Sequence, residues 1–202
     1  MKILSLVDGS KTSAVVALAF VLAVAAFLLC GCASASQAAS TGNDQIVKAT
    51  IELAEEYRSL GRLEDSIGVY DKALERTYDY RLLYNKALTI ANLGDFEQAA
   101  ALCQEGHGSF PYILAFKKAQ AKYYIELERW QDAASSYIEV LELDPYDTST
   151  RKALISLYVT NNEPSKAAEQ ATILWNQGYR TAETVGLMKV SLDPSLESSQ
   201  ED

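Results

Sequence analysis

Histidine is nearly missing from this 202-residue chain, with His107 the single example. One imidazole leaves the usual nucleophilic triads and histidine-rich metal sites without their parts. Cys103 and His107 stand four residues apart and supply two ligands where zinc takes four. Cysteine is scarce too. Cys30 and Cys32 lie at the end of an N-terminal apolar run, which leaves Cys103 alone and excludes an internal disulfide framework. Basic residues are outnumbered 18 to 27, for a net charge of −9. Nucleic acid needs a basic footprint to displace counterions, and anionic lipid needs one for adsorption, so neither is expected as a partner of the folded part. A phosphate-cradling loop is also lacking: Gly106-His107-Gly108 has neither the long glycine pattern nor the lysine. The carboxylate pairs Glu55-Glu56 and Glu126/Glu128 read as solvated helix faces. No catalytic residue, cofactor site or metal site is assigned, and the chain reads as something other than an enzyme.

The chain does have a long apolar run, from Ala14 to Cys30, preceded by Lys2 and Lys11 and followed by small residues. This is the layout of an export signal. The run is also at the short edge of what spans a bilayer, so an uncleaved anchor is a second reading. Leu29-Cys30-Gly31-Cys32 resembles the lipobox of bacterial lipoproteins. That resemblance implies a signal peptide over 1–31, cleavage before Cys32 and lipid on its thiol. More than one acyl chain is needed for stable anchoring. Ordinary cleavage near Ala33-Ser34-Ala35, releasing a soluble protein, is the plainer alternative. The resemblance implies an exported, membrane-anchored lipoprotein. Ala33 lacks the aspartate that retains many such proteins at an inner membrane, which leans toward the periplasmic face of an outer one. Residues 32–43 then form the lipidated cysteine and a small, polar tether, on the order of 20 Å long as a random coil.

From Asp44 a helical period sets in, and it repeats. Ala99, Ala133 and Ala167 follow one another at 34-residue steps, with Ser66 in phase before them. A period of that size means stacked helical hairpins. The first is expected over Asp44–Leu60 and Leu63–Arg76. The second covers Tyr80–Leu93 and Phe96–Glu105, ended by Gly106, Gly108 and Pro111. The third covers Tyr112–Leu127 and Trp130–Leu143, and the fourth Thr148–Thr160 and Pro164–Gln177. Ile46, Leu53, Ala54, Tyr57 and Leu60 are expected to share the buried face of the first helix. Thr181–Val190 reads as a lone capping helix, and residues 191–202 as an acidic, disordered tail.

These residues resemble the tetratricopeptide repeat family. Ala54, Ala87 and Ala121 match its small residue in the first helix, and Tyr57, Tyr124 and Tyr158 its aromatic three later. Ser66-Tyr70-Ala73, Ala99-Cys103-Gly106 and Ala133-Tyr137 match the second-helix pattern, with Val140, Ala171 and Leu174 departing. Pro111 and Pro145 match the repeat-ending proline. The resemblance implies an all-α, right-handed α-α superhelix of about four hairpins (47–79, 80–113, 114–147, 148–180) with a C-terminal cap over 181–190, inside a repeat domain at 44–190.

The family's first helices line a concave groove that binds peptides or partner helices. By that register Lys48, Ile51, Glu55 and Arg58 face the groove, then Arg81, Tyr84 and Leu88, then Lys118, Lys122 and Ile125, then Lys152, Ser156 and Val159. Lys48, Arg58, Arg81, Tyr84, Lys118, Lys122 and Lys152 are therefore the candidate partner-binding residues. They suggest a basic stripe suited to a protein partner with an acidic segment. The plainer reading is that these cations form helix ion pairs. Some chaperone-binding relatives clamp a terminal carboxylate with lysines and asparagines. Asn85 fits that set, but Ile51 and Glu55 do not, and the activity is not expected here. The acidic tail, from Asp193 to Asp202, is a rival occupant of the groove. The implied function is a non-catalytic adaptor of the bacterial envelope, with a self-associating spacer or an assembly factor for outer-membrane or pilus components as alternatives. The residues themselves assign no oligomeric state.

Overall fold

The computed structural model describes residues 42–192, and among them every regular element is an α-helix. α1 spans 42–59. It is followed by α2 (Leu63–Leu74), α3 (Tyr80–Asn92), α4 (Phe96–Ser109), α5 (Ala115–Glu126), α6 (Trp130–Leu143), α7 (Thr148–Thr160), α8 (Pro164–Asn176) and α9 (Ala182–Leu192). The chain divides into two compact units, residues 1–49 and 50–202. In the first unit the described part is the start of α1, where Val47 is buried and Lys48 pairs with Asp44 at 2.8 Å. The expected signal peptide, Cys32 and nearly all of the tether lie outside the described residues, as does the tail after Leu192. No described helix is long and apolar enough to cross a membrane.

Within the second unit each helix from α2 to α9 packs on the next one in sequence. The result is a right-handed superhelix of hairpins closed by α9. Its core is built from the recurring small residues. Ala54, Ala87 and Ala121 in the first helices, and Ser66, Ala99, Ala133 and Ala167 in the second, are all fully buried. A small side chain at each crossing brings helix axes close, so the larger Tyr70 and Tyr137 interdigitate beside it. Cys103 takes the same place in the second hairpin and is buried as a small hydrophobe.

Local chemistry sets the bends. Each first helix ends on a residue in the left-handed region: Gly61 (φ 73°), Gly94 (φ 87°), Glu128 (φ 57°) and Asn162 (φ 53°). Glycine reaches that conformation without a Cβ clash, which explains two of the four turns but not Glu128. Aspartates open several helices. Asp79, Asp95 and Asp147 accept backbone N–H groups from Arg81, Gln98 and Thr150. Pro164 occupies the first turn of α8, where no N–H is required.

Two expectations are corrected here. α4 does not stop before Gly106 but continues through Gly106-His107-Gly108 to Ser109. Gly106 is a packing residue rather than a terminator, because the Phe116 ring fills the space beside it: a Cβ there would lie 2.4 Å from the ring. The expected apolar face of α1 also splits. Ala54 is buried, but Ile46, Leu53 and Leu60 are 48%, 46% and 66% exposed. The buried side of α1 is the narrow one carrying Val47 and Ala54, and no described helix precedes α1 to cover the rest.

Candidate partner-binding groove

α1, α3, α5 and α7 are the first helices of successive hairpins, and the same register on each carries the candidate residues. Arg58, Arg81, Tyr84, Leu88, Lys118 and Ile125 are half-buried, while Lys122, Lys152, Ser156 and Val159 are exposed. A graded face of this kind is accessible to a partner yet fixed by neighbours. Lys48 is described only within the first unit and is not placed against the others.

The charge on this face is smaller than a count of cations suggests. Arg58 pairs with Glu55 at 2.7 Å. Arg81 grips Asp79 through two bonds, Nε at 3.0 Å and a terminal nitrogen at 2.9 Å. Lys118 is paired with Asp147, and Lys48 with Asp44. The anticipated stripe of six cations is thereby corrected to two without a carboxylate partner among the described residues, Lys122 and Lys152. Lys152 holds its ammonium 5.8 Å from the centre of the Tyr179 ring. The neutralising aspartates stand at the starts of α1, α3 and α7, where an acid also suits the helix dipole. They lie outside the groove-facing register, so counting that register alone missed them.

Asp147 is the most constrained of these acids. Its side chain is 8% exposed. Burial works to raise its pKa, but hydrogen bonds from Lys118, Ser149 and Thr150 prevail and hold it below the ordinary carboxylate range. One carboxylate thus caps α7 and fixes Lys118 of α5. Tyr84 sits edge-on to Phe116, with ring centres 5.8 Å apart. Burial raises its hydroxyl pKa, Cys103 adds to this and Lys118 opposes it. The group presented at neutral pH is therefore a neutral phenol. Asn85 is engaged in its own helix, donating to the Arg81 carbonyl at 2.8 Å.

Outside this face the chemistry is sparse. Burial pushes the Cys103 thiol up to about 12, so it is not a nucleophile at neutral pH. His107 is lowered by burial and by Lys117, opposed by Glu139. No group of three or more His, Cys, Asp or Glu gathers among the described residues in a way that would hold a metal ion. A recess of about 430 Å³ between α2, α3 and α4 is floored by Ile67, Ile90 and Leu102 and bridged by the Lys86–Asp71 ion pair. It presents no nucleophile beside a base.

Residues 51–112 match the family model of the tetratricopeptide repeat. No curated protein sequence matches the chain. Among solved structures, a tetratricopeptide repeat protein from Parabacteroides merdae ATCC 43184 is similar with a TM-score of 0.62 at 16% identity, over 76% of this chain and 63% of that one. MamA, residues 41 to the end, from Desulfovibrio magneticus RS-1 is similar with a TM-score of 0.54 at 14% identity, over 78% of this chain and 98% of that one. The first tetratricopeptide repeat domain of Spaghetti (RPAP3), bound to the HSP90 peptide SRMEEVD, is similar with a TM-score of 0.51 at 20% identity, over 58% of this chain and 94% of that one. The likeness at these identities is one of fold. Residues 51–112 thus carry the sequence match, and the hairpins of the chain share the fold of these structures.

Proposed function

We propose that this tetratricopeptide repeat array is a non-catalytic adaptor, lipid-anchored through Cys32 in a bacterial envelope, that holds an acidic segment of a protein partner along α3, α5 and α7. The observation that carries the reading is the pair Lys122 and Lys152. They are exposed, lack a carboxylate partner among the described residues and occupy neighbouring first helices at the groove register. Half-buried Tyr84 adds a rigid aromatic contact on the third helix of that face. The fold-neighbour RPAP3 was solved with an acidic peptide, SRMEEVD, which supports the same mode here. The anchor rests on the lipobox-like Leu29-Cys30-Gly31-Cys32.

The exposed Leu53 of α1 and Leu60 in the turn after it favour a second reading, an array that stacks on another copy as a spacer. Light scattering of the isolated protein separates monomer from oligomer.

The test is photo-crosslinking in intact cells with the probe at Tyr84 and then at Lys122. The adaptor reading predicts one discrete protein, crosslinked through an acidic stretch and lost in Lys122→Glu/Lys152→Glu. A ladder of self-crosslinks supports the spacer, and crosslinks unaffected by charge reversal remove the acidic-segment reading.

A further inference from the structure

All the exposed tyrosines among the described residues lie in or beside the connections between hairpins. Tyr112 is 92% exposed, Tyr146 78%, Tyr78 53%, Tyr179 43% and Tyr80 38%. These connections join α2 to α3, α4 to α5, α6 to α7 and α8 to α9. In a stack of antiparallel hairpins they emerge on one edge of the superhelix. The turns inside hairpins emerge on the other edge, which exposes Leu60 and Leu93 but no aromatic ring. Segregation of every exposed ring to one edge is not required by the fold, since the repeat's buried aromatics are already supplied by Tyr70, Tyr137 and Tyr158. The rings are also braced. Phe110 stacks on Tyr78 at 5.6 Å and meets Tyr80 edge-on at 6.0 Å.

We infer that this tyrosine edge faces and dips into the headgroup layer of the membrane to which the chain is tethered. The inference rests on the proposed anchor. Tyrosine suits the bilayer interface because its ring is apolar and its hydroxyl stays hydrated. The four connections contain no lysine, their arginines, Arg76 and Arg180, are outnumbered by Glu75, Asp79, Asp144 and Asp147, and the one lysine beside an exposed ring is Lys152 of α7, against Tyr179. The edge is therefore matched to a neutral lipid surface rather than to anionic headgroups. Connectivity points the same way. The apolar run ending at Cys30 and a tether of about 20 Å immediately precede the helical array in the sequence. At so short a tether the effective concentration of bilayer surface is high, and individually weak ring contacts suffice to orient the array.

The experiment uses the full chain, purified from its membrane and reconstituted in phosphatidylcholine vesicles. Exposed tyrosines are iodinated with lactoperoxidase, which stays in the aqueous phase, and the products are mapped by mass spectrometry. Labelling is then repeated after proteolytic cutting of the tether. The expected result is labelling of Tyr112 and Tyr146 about tenfold lower on vesicles than after release, a difference that reports a modest orienting free energy. Tyr112→Ser/Tyr146→Ser removes two solvent-exposed rings and leaves the fold intact. In it, Tyr78 and Tyr179 regain the labelling of the released protein, because the edge lifts away. Equal labelling before and after release overturns the inference, as does continued shielding of Tyr78 and Tyr179 in the variant. Shielding that persists after release and grows with concentration overturns it in favour of a second copy of the chain. A chain that fails to float with the vesicles defeats the anchor itself, whereas one that floats with fully labelled tyrosines defeats the edge alone.

Discussion

Gly106 of α4 and the Phe116 ring of α5 occupy a single space, since a methyl group on the glycine would lie 2.4 Å from the ring. The same register at the other hairpin junctions carries Ala73 with Leu82 and Val140 with Thr150, and all six residues are buried. Side-chain size on one helix falls as it rises on the next. The junctions thus hold similar total volume while the individual residues vary, as close packing requires.

That relationship gives two glycines of one helix opposite fates. Gly106→Ala gains helix propensity but overpacks the junction, and a net loss of about 1–3 kcal/mol is expected. Gly108→Ala meets nothing within 4 Å, and should gain about 0.5–1 kcal/mol. Urea unfolding of both variants checks the pair. Equal effects would mean that the Phe116 contact does not govern the site.

Glu128 holds a left-handed conformation that Gly61 and Gly94 hold without strain. Glu128→Gly is expected to stabilise the array by about 0.5–1 kcal/mol, the relief of Cβ strain exceeding the added freedom of the unfolded chain. Asn162→Gly should gain less, because asparagine tolerates this region. Thermal unfolding of the two variants orders the effects.

Asp147 makes stability depend on acid. Its folded pKa is depressed, so its contribution is fully present above the ordinary carboxylate value and is lost as pH falls through and below that value. Melting temperature should drop between about pH 5 and pH 2. Asp147→Ala should flatten part of that limb and cost about 1–2 kcal/mol at neutral pH through loss of the cap. The same variant releases Lys118, and acidic peptides should then bind more tightly despite the weaker fold.

The Cys103 thiol, buried and raised to about 12, should resist a disulfide reagent at pH 8 in the native protein. Its labelling rate should rise with urea in step with global unfolding, followed by mass spectrometry of the Cys103 peptide. Rapid labelling without denaturant would place the thiol in a local opening.

The fold was legible because its signal recurs. Ala99, Ala133 and Ala167 must each be small at a helix crossing, and a steric demand repeated in every hairpin leaves a period in the chain. Features that depend on one junction leave none. Gly106 reads as a helix stop by composition, and only the position of Phe116 shows that it is a packing residue. The register of the proposed groove overcounts the free charge, because the acids that neutralise Arg81 and Lys118 precede the helices instead of sharing their face. The exposed tyrosines stand in the connections or, for Tyr80, at the first residue of α3, where no helical period draws attention to them.

The most direct test of the central claim is fluorescence anisotropy of a labelled synthetic peptide, the acidic segment recovered by crosslinking, against the wild-type array and Lys122→Glu/Lys152→Glu across a salt series. The account predicts binding to wild type that weakens with salt, and a loss of about 10–100-fold on charge reversal. Equal affinity of the two proteins at low salt would contradict it and move the working surface away from α5 and α7.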